Sequence, residues 1–145
     1  MRINHVRPFL FIPVLLLITA CVSAGPEVVL KGQRFNVELA TIPKEQALGL
    51  MFRDSMANDH GMLFIFPSAA TRNFWMKNTR IPLDIFYFDE NLKLVNVAQN
   101  AKPCHTPECP VYASAGPARY VLELNAGKAV ELAVKPGDAL VLDLD

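Results

Sequence analysis

The chain has 145 residues, 52% hydrophobic and 19% charged, with 14 basic against 14 acidic side chains. That composition is enough for one globular domain plus a separate apolar segment. A formal net charge of zero speaks against a nucleic-acid partner and against a polybasic lipid-binding patch, since both need clustered positive charge.

The apolar segment is N-terminal. Arg2 and Arg7 precede the run FLFIPVLLLI at 9–18, which gives way to Thr19, Ala20 and Cys21. A basic start, a short apolar stretch and small residues before a cut predict a secretory signal peptide over 1–20. The run is also short for a bilayer span of roughly 20 residues, which a retained anchor would need. Ile18-Thr19-Ala20-Cys21 resembles the lipobox of bacterial lipoproteins, whose cysteine is diacylated and, once the signal is removed, acylated at its new amino terminus. Acyl chains, each stabilising membrane residence by about 0.8 kcal/mol per buried methylene, make a lasting anchor. The expected organisation is therefore a signal over 1–20, a lipidated tether over 21–32 and a domain over 33–145. Val22, where an aspartate is absent, resembles the outer-membrane sorting pattern, so the expected location is the periplasmic face of a Gram-negative outer membrane. Loss of Arg2 and Arg7 leaves 12 basic against 14 acidic side chains in the mature chain.

Beyond the tether, Phe35, Val37 and Leu39 alternate with Asn36 and Glu38, which predicts a half-buried strand. Pro43 suits a first helical turn and Glu45 its dipole, so a short helix is expected near 43–51, weakened by Gly49. GMLFIFP at 61–67 reads as a buried strand. In 74–78, period-two geometry sends Phe74, Met76 and Asn78 one way and Trp75 and Lys77 the other. After a bend at Ile81-Pro82, residues 84–88 and 92–97 predict a hairpin, and Tyr120, Leu122 and Leu124 a further strand. Lys135-Pro136-Gly137-Asp138 carries a type II turn signal before a last strand at 140–144. Many short strands punctuated by proline and glycine predict one mainly β domain, a sandwich or distorted barrel with one or two short helices.

With Cys21 lipidated, Cys104 and Cys109 remain, and in an oxidising compartment they are expected to form a disulfide. Zinc held with His105 and His60, a redox-active pair, and a methionine copper site from Met51, Met62 and Met76 are weaker alternatives, because no metal or redox spacing supports them.

GLMFR (49–53), GMLF (61–64), FWMKNT (74–79), IPLD (81–84), the two cysteine–proline contacts, LELNAG (122–127) and PGD (136–138) occur in one order. Together they resemble the domain of unknown function 192 family, also called uncharacterised protein family 0127, over roughly residues 33–145. The resemblance implies a mainly β fold and no stated activity. Asn91 departs from it where a glycine is expected, although asparagine tolerates the same left-handed turn.

The candidate ligand residues are Arg53, Trp75, Lys77, Asn78 and Asp84. Trp75 offers a ring for stacking, Lys77 and Arg53 offer charge for an anionic group, and Asn78 and Asp84 offer polar contacts. Each has a structural alternative: Trp75 covered by the loop 104–112 with Lys77 lying over it, Asn78 as a turn former, Asp84 bound to backbone N–H groups or paired with Arg53 or Lys77. Glu123 is expected opposite Leu122 and Leu124, on the side of Asn125, either solvated or paired. Three functions follow in order of preference: a binding module for an envelope carbohydrate or other small polar or anionic ligand, a structural or protein-interaction lipoprotein, and a hydrolase using Asp84 and Glu123 as acid and base. Catalysis is disfavoured, since the mature chain has only His60 and His105 as neutral-pH bases and no G-x-S-x-G elbow. No cofactor or metal is implied.

Cys21→Ser should yield a precursor that takes up no labelled fatty acid and keeps its signal segment. Metabolic acyl labelling followed by mass determination checks both.

Overall fold

A computed structural model describes residues 25–145, so the expected signal peptide and the expected lipidation site Cys21 lie outside the described residues. In chain order the elements are β1 (Glu27–Leu30), β2 (Gln33–Ala40), α1 (Pro43–Leu48), β3 (His60–Ala70), β4 (Asn73–Trp75), β5 (Leu83–Phe88), β6 (Leu94–Ala101), β7 (Val111–Ala113), β8 (Ala118–Asn125), α2 (Lys128–Glu131) and β9 (Leu140–Asp143). Seven strands form one sheet in the order β6-β5-β8-β3-β2-β1-β9, and β4 pairs with β7 in a small second sheet. The mainly β class and the two short helices are as expected.

The large sheet curls until its two ends meet. Lys93, just before β6, bridges antiparallel to Ala139. Leu94 N–H donates to the Asp138 carbonyl at 2.8 Å, and Leu140 N–H donates to the Leu92 carbonyl at 2.9 Å. The turn that delivers β9 to this seam is the expected one, with Asp138 N–H on the Lys135 carbonyl and Gly137 at φ 91°. The resulting half-barrel has an inner core of Val28, Leu30, Phe35, Leu63, Phe86, Phe88, Leu122 and Leu124.

A second core lies on the outer face. Phe64, Leu83, Ile85, Tyr87 and Val121 are buried there beneath β4, β7 and the segment 76–81, which contributes the buried Met76. Phe74 pins this cover through edge-on contacts with Phe64 at 5.0 Å, Phe66 at 6.5 Å and Tyr87 at 5.9 Å between ring centroids. The Tyr87 hydroxyl donates to the Tyr112 carbonyl at 2.8 Å, tying β7 to the sheet. Strand β5 is consequently buried at all six positions.

Several expectations change. Residues 27–30, assigned to the tether, form β1, because Val28 and Leu30 are needed in the inner core and Leu142 and Leu140 stand opposite them. The helix ends at Leu48 rather than 51, since Gly49 turns at φ 48° and its N–H closes on the Glu45 carbonyl. Its start is as expected: Pro43 leads, and the Glu45 carboxylate accepts the N–H groups of Thr41 and Ile42. The ladder in 74–78 stops at Trp75 and joins only β7. In the β5–β6 turn the left-handed residue is Leu92, at φ 59°, and not Asn91; Asp89 holds the turn by accepting the N–H groups of Asn91 and Lys93.

The expected disulfide is present, with Cys104 and Cys109 alpha carbons 5.9 Å apart. Cys104 N–H donates to the Met76 carbonyl and its own carbonyl accepts from Asn78, so the bridged loop is stitched along 76–78.

Gly61 permits the close approach of β3 and β8, since a Cβ there would stand 2.6 Å from both the Glu123 carbonyl oxygen and Leu124 Cδ2. Gly61→Ala should therefore cost about 1–3 kcal/mol, whereas Gly116→Ala, whose Cβ would meet nothing nearer than 3.6 Å, should cost far less. Urea unfolding midpoints of the two variants test the difference.

Candidate functional site

Strand alternation places Phe74 in the outer core and leaves Trp75 48% exposed. Lys77 follows on the same side, with its Nζ 5.3 Å from the Trp75 ring centroid, a cation–π contact at the surface. These two expected ligand residues do come together.

The other three are spent elsewhere. Arg53 makes a two-pronged ion pair with Glu38, and His60 Nε2 approaches the same carboxylate at 3.2 Å. The Arg53 hydrogen bonds outweigh partial burial and hold Glu38 below the usual carboxylate range. Asn78 is a turn former at φ 55°, and its carbonyl accepts from Phe52. Asp84 is 1% exposed, and its carboxylate accepts the backbone N–H groups of Asn100 at 2.7 Å, Gly127 at 3.0 Å and Ala129 at 2.8 Å. It pairs with neither Arg53 nor Lys77 and clamps β6 and the start of α2 onto β5. A hollow of about 360 Å³ adjoins it, lined by Gln99, Asn100, Gly127 and Val130, but its acid is already engaged.

Glu123 behaves in the opposite way. On β8 it stands between Met62 of β3 and Ile85 of β5 in the register, and so projects onto the covered outer face rather than into solvent. It is 5% exposed. Burial alone pushes its carboxyl up to about 8, with neither a hydrogen bond nor a charge contributing. Among the described residues no side-chain polar atom is both sealed from solvent and unpartnered, so the Glu123 oxygens must reach water through an opening. That opening is a recess of about 30 Å³ between the end of α1 and β4, walled by Gln46, Leu48, Phe64, Phe74, Trp75 and Thr79. It holds about one or two water-sized groups.

Two shallower depressions meet this recess at Trp75. One, of about 290 Å³, runs along α1 past Gln46, Ala47, Phe66 and Asn73; the other, of about 170 Å³, reaches Val111. The exposed apolar side chains Leu48 and Val111 therefore flank the same groove as Trp75.

Asp84 and Glu123 cannot act as a carboxylate pair. They project from opposite faces of the sheet, Asp84 with the side that carries Phe86 and Phe88, Glu123 with the side that carries Ile85 and Tyr87. Alternation alone suggests a wet or paired side chain for Glu123, and the sequence brings it forward only as a hydrolase acid beside Asp84, not as the floor of a recess. The available signal was the near-continuous apolar character of LDIFYF and VLEL, which marks strands covered on both sides.

A model of the family DUF192, described as an uncharacterised ACR family, matches residues 27–142. The chain belongs to this family. A protein of unknown function from Novosphingobium aromaticivorans is similar to it in structure, at TM-score 0.72 and 38% identity over 83% of this chain and 89% of that one. A candidate transcription regulator from Sinorhizobium meliloti matches at TM-score 0.73 and 40% identity, over 83% of this chain and 96% of that one. No curated protein matches the chain.

The buried acid gives this DUF192 domain a signed pH dependence. In the unfolded chain Glu123 ionises near its ordinary value of 4.5, and in the folded domain only near 8. Below about 4.5 both states hold the proton. Between the two values the unfolded chain releases it and the folded domain does not, so stability falls as pH rises and levels off above about 8. The carboxyls held low, Glu38, Glu45 and Asp138, act below this window. Glu123→Gln should flatten the fall between pH 5 and 8, as measured by urea midpoints across that range.

Proposed function

We propose that the domain is a cell-envelope binding module, held to the membrane through a lipid on Cys21, that takes a hydroxylated, saccharide-like ligand in the groove between α1 and β4. The ligand ring stacks on Trp75, with Lys77 at the lip and Glu123 beneath. The observation that carries this reading is an aromatic ring half exposed above a recess whose floor is an unpartnered acid. Half-exposed tryptophan suits the apolar C–H face of a sugar ring, and Leu48 and Val111 extend the same surface. Fixed polar groups below the ring, from Gln46, Thr79 and Glu123, then read hydroxyl positions. Arg53, Asn78 and Asp84 leave the ligand set, because each is engaged in holding the fold. The hydrolase reading loses its second carboxylate for the reason given above. The near-neutral charge gives a nucleic-acid ligand no support.

Trp75 is the only tryptophan in the chain, so its emission reports directly on this groove. Neutral and charged monosaccharides should shift that emission saturably. Trp75→Ala should abolish ligand-induced thermal shifts while costing about 1 kcal/mol or less in stability, as for an incompletely buried side chain. A loss of 3–5 kcal/mol, typical of a buried aromatic, would instead make Trp75 a structural cover.

A further inference from the structure

Resting on the binding reading above, we infer that the recess beneath Trp75 is selective for a protonated amine on the ligand, which Glu123 receives as a carboxylate. Glu123 is the one side chain in the recess wall able to carry charge; Gln46 and Thr79 are neutral, and Phe64, Phe74 and Trp75 supply aromatic surface. Lys77 lies over Trp75 and does not line the recess.

Three kinds of ligand group can be weighed against this wall. An anionic group would be buried with no cation to balance it, next to an acid that must stay protonated to avoid repulsion. A hydroxyl would make ordinary neutral hydrogen bonds and leave the acid's capacity for charge unused. An ammonium group gains a charge-assisted hydrogen bond to Glu123 and attraction to the surrounding aromatic rings. It also fits the space, since about 30 Å³ takes a group of this size and excludes a bulky acyl substituent.

The proton balance is simple. Near neutral pH the empty recess holds Glu123 as the acid, because burial raises its carboxyl to about 8. When an ammonium group enters, the acid gives its proton to solvent, and the pair that remains is carboxylate and ammonium. One pH unit separates neutral solution from that value, so the required ionisation weakens binding at pH 7 only about tenfold. The titratable group facing Glu123 from the neighbouring strand is Tyr87, itself kept protonated by burial and by the Glu123 charge. From α1 and the segment 76–79 the facing groups are Gln46 and Thr79, which do not titrate.

The test compares three sugars that differ at one substituent: glucose, glucosamine and N-acetylglucosamine, each titrated at pH 7 against Trp75 emission. Glucosamine should bind at least tenfold more tightly than the other two, and Glu123→Gln should bring glucosamine affinity down to that of glucose measured on the same variant. On the unmodified protein, methylammonium chloride should displace glucosamine and leave glucose in place, where sodium chloride does neither; this arm needs no folded variant. Equal binding of glucose and glucosamine, or a preference that survives Glu123→Gln, would overturn the amine assignment and leave the binding module standing. Preference for N-acetylglucosamine would overturn it in favour of an amide-reading site. If none of the three sugars moves the emission, the binding module fails and the amine site with it.

Discussion

Strands β5, β8 and β3 are covered on both faces, and the rest of the domain is arranged by that requirement. Curling the sheet closes only its inner side, around Phe35, Phe86 and Leu122. The outer side carries Phe64, Ile85, Tyr87 and Val121, and leaving these wet would forfeit about 1.5–3 kcal/mol each. The small sheet of β4 and β7, the bridged loop and the segment 76–81 exist to cover them. Their attachment is itself economical: Phe74 contacts three rings, Tyr87 donates to the β7 backbone, and Cys104 is stitched to Met76 and Asn78.

A cover made of short pieces leaves a seam, and the seam falls between the end of α1 and β4. Alternation on β4 means that anchoring Phe74 inward must turn Trp75 outward at that same point. The aromatic lip above the recess is thus a consequence of how the cover is fastened. Glu123 sits under the seam with nothing to pair with, and a carboxyl placed there is costly unless it stays neutral or meets a ligand. Groups that lower stability without a compensating contact in the fold are where function is to be sought.

Asp84 shows how narrow the difference is. Its partner in the ladder is Leu124, the neighbour of Glu123, yet it points to the other side of the sheet, where three backbone N–H groups converge on it. One residue of register separates an acid fully used in holding loops together from an acid left without a partner. No rule of composition distinguishes the two, since both are single carboxylates in apolar runs.

Features that depend on near neighbours are legible along the chain. Alternation marked β2, β8 and the β5–β6 hairpin, Pro43 and Glu45 marked the start of α1, and Gly137 marked the turn into β9. The outward face of Trp75 and Lys77 followed from period-two geometry, and the bridge between Cys104 and Cys109 from cysteine count together with the expected export. The family was legible in the ordered motifs. The remaining features emerge only on folding, because they depend on which distant segments cover which face. β1 is four residues long and is a strand only because β2 and β9 flank it. Arg53 was lost to Glu38, fifteen residues away, and Asp84 to backbone groups contributed by 100, 127 and 129. Glu123, expected to be solvated or paired, became the floor of a recess because β4 and the end of α1 close over its face. A strand's own residues state which side is apolar, but whether the other side meets water is decided by chain that lies far away in sequence.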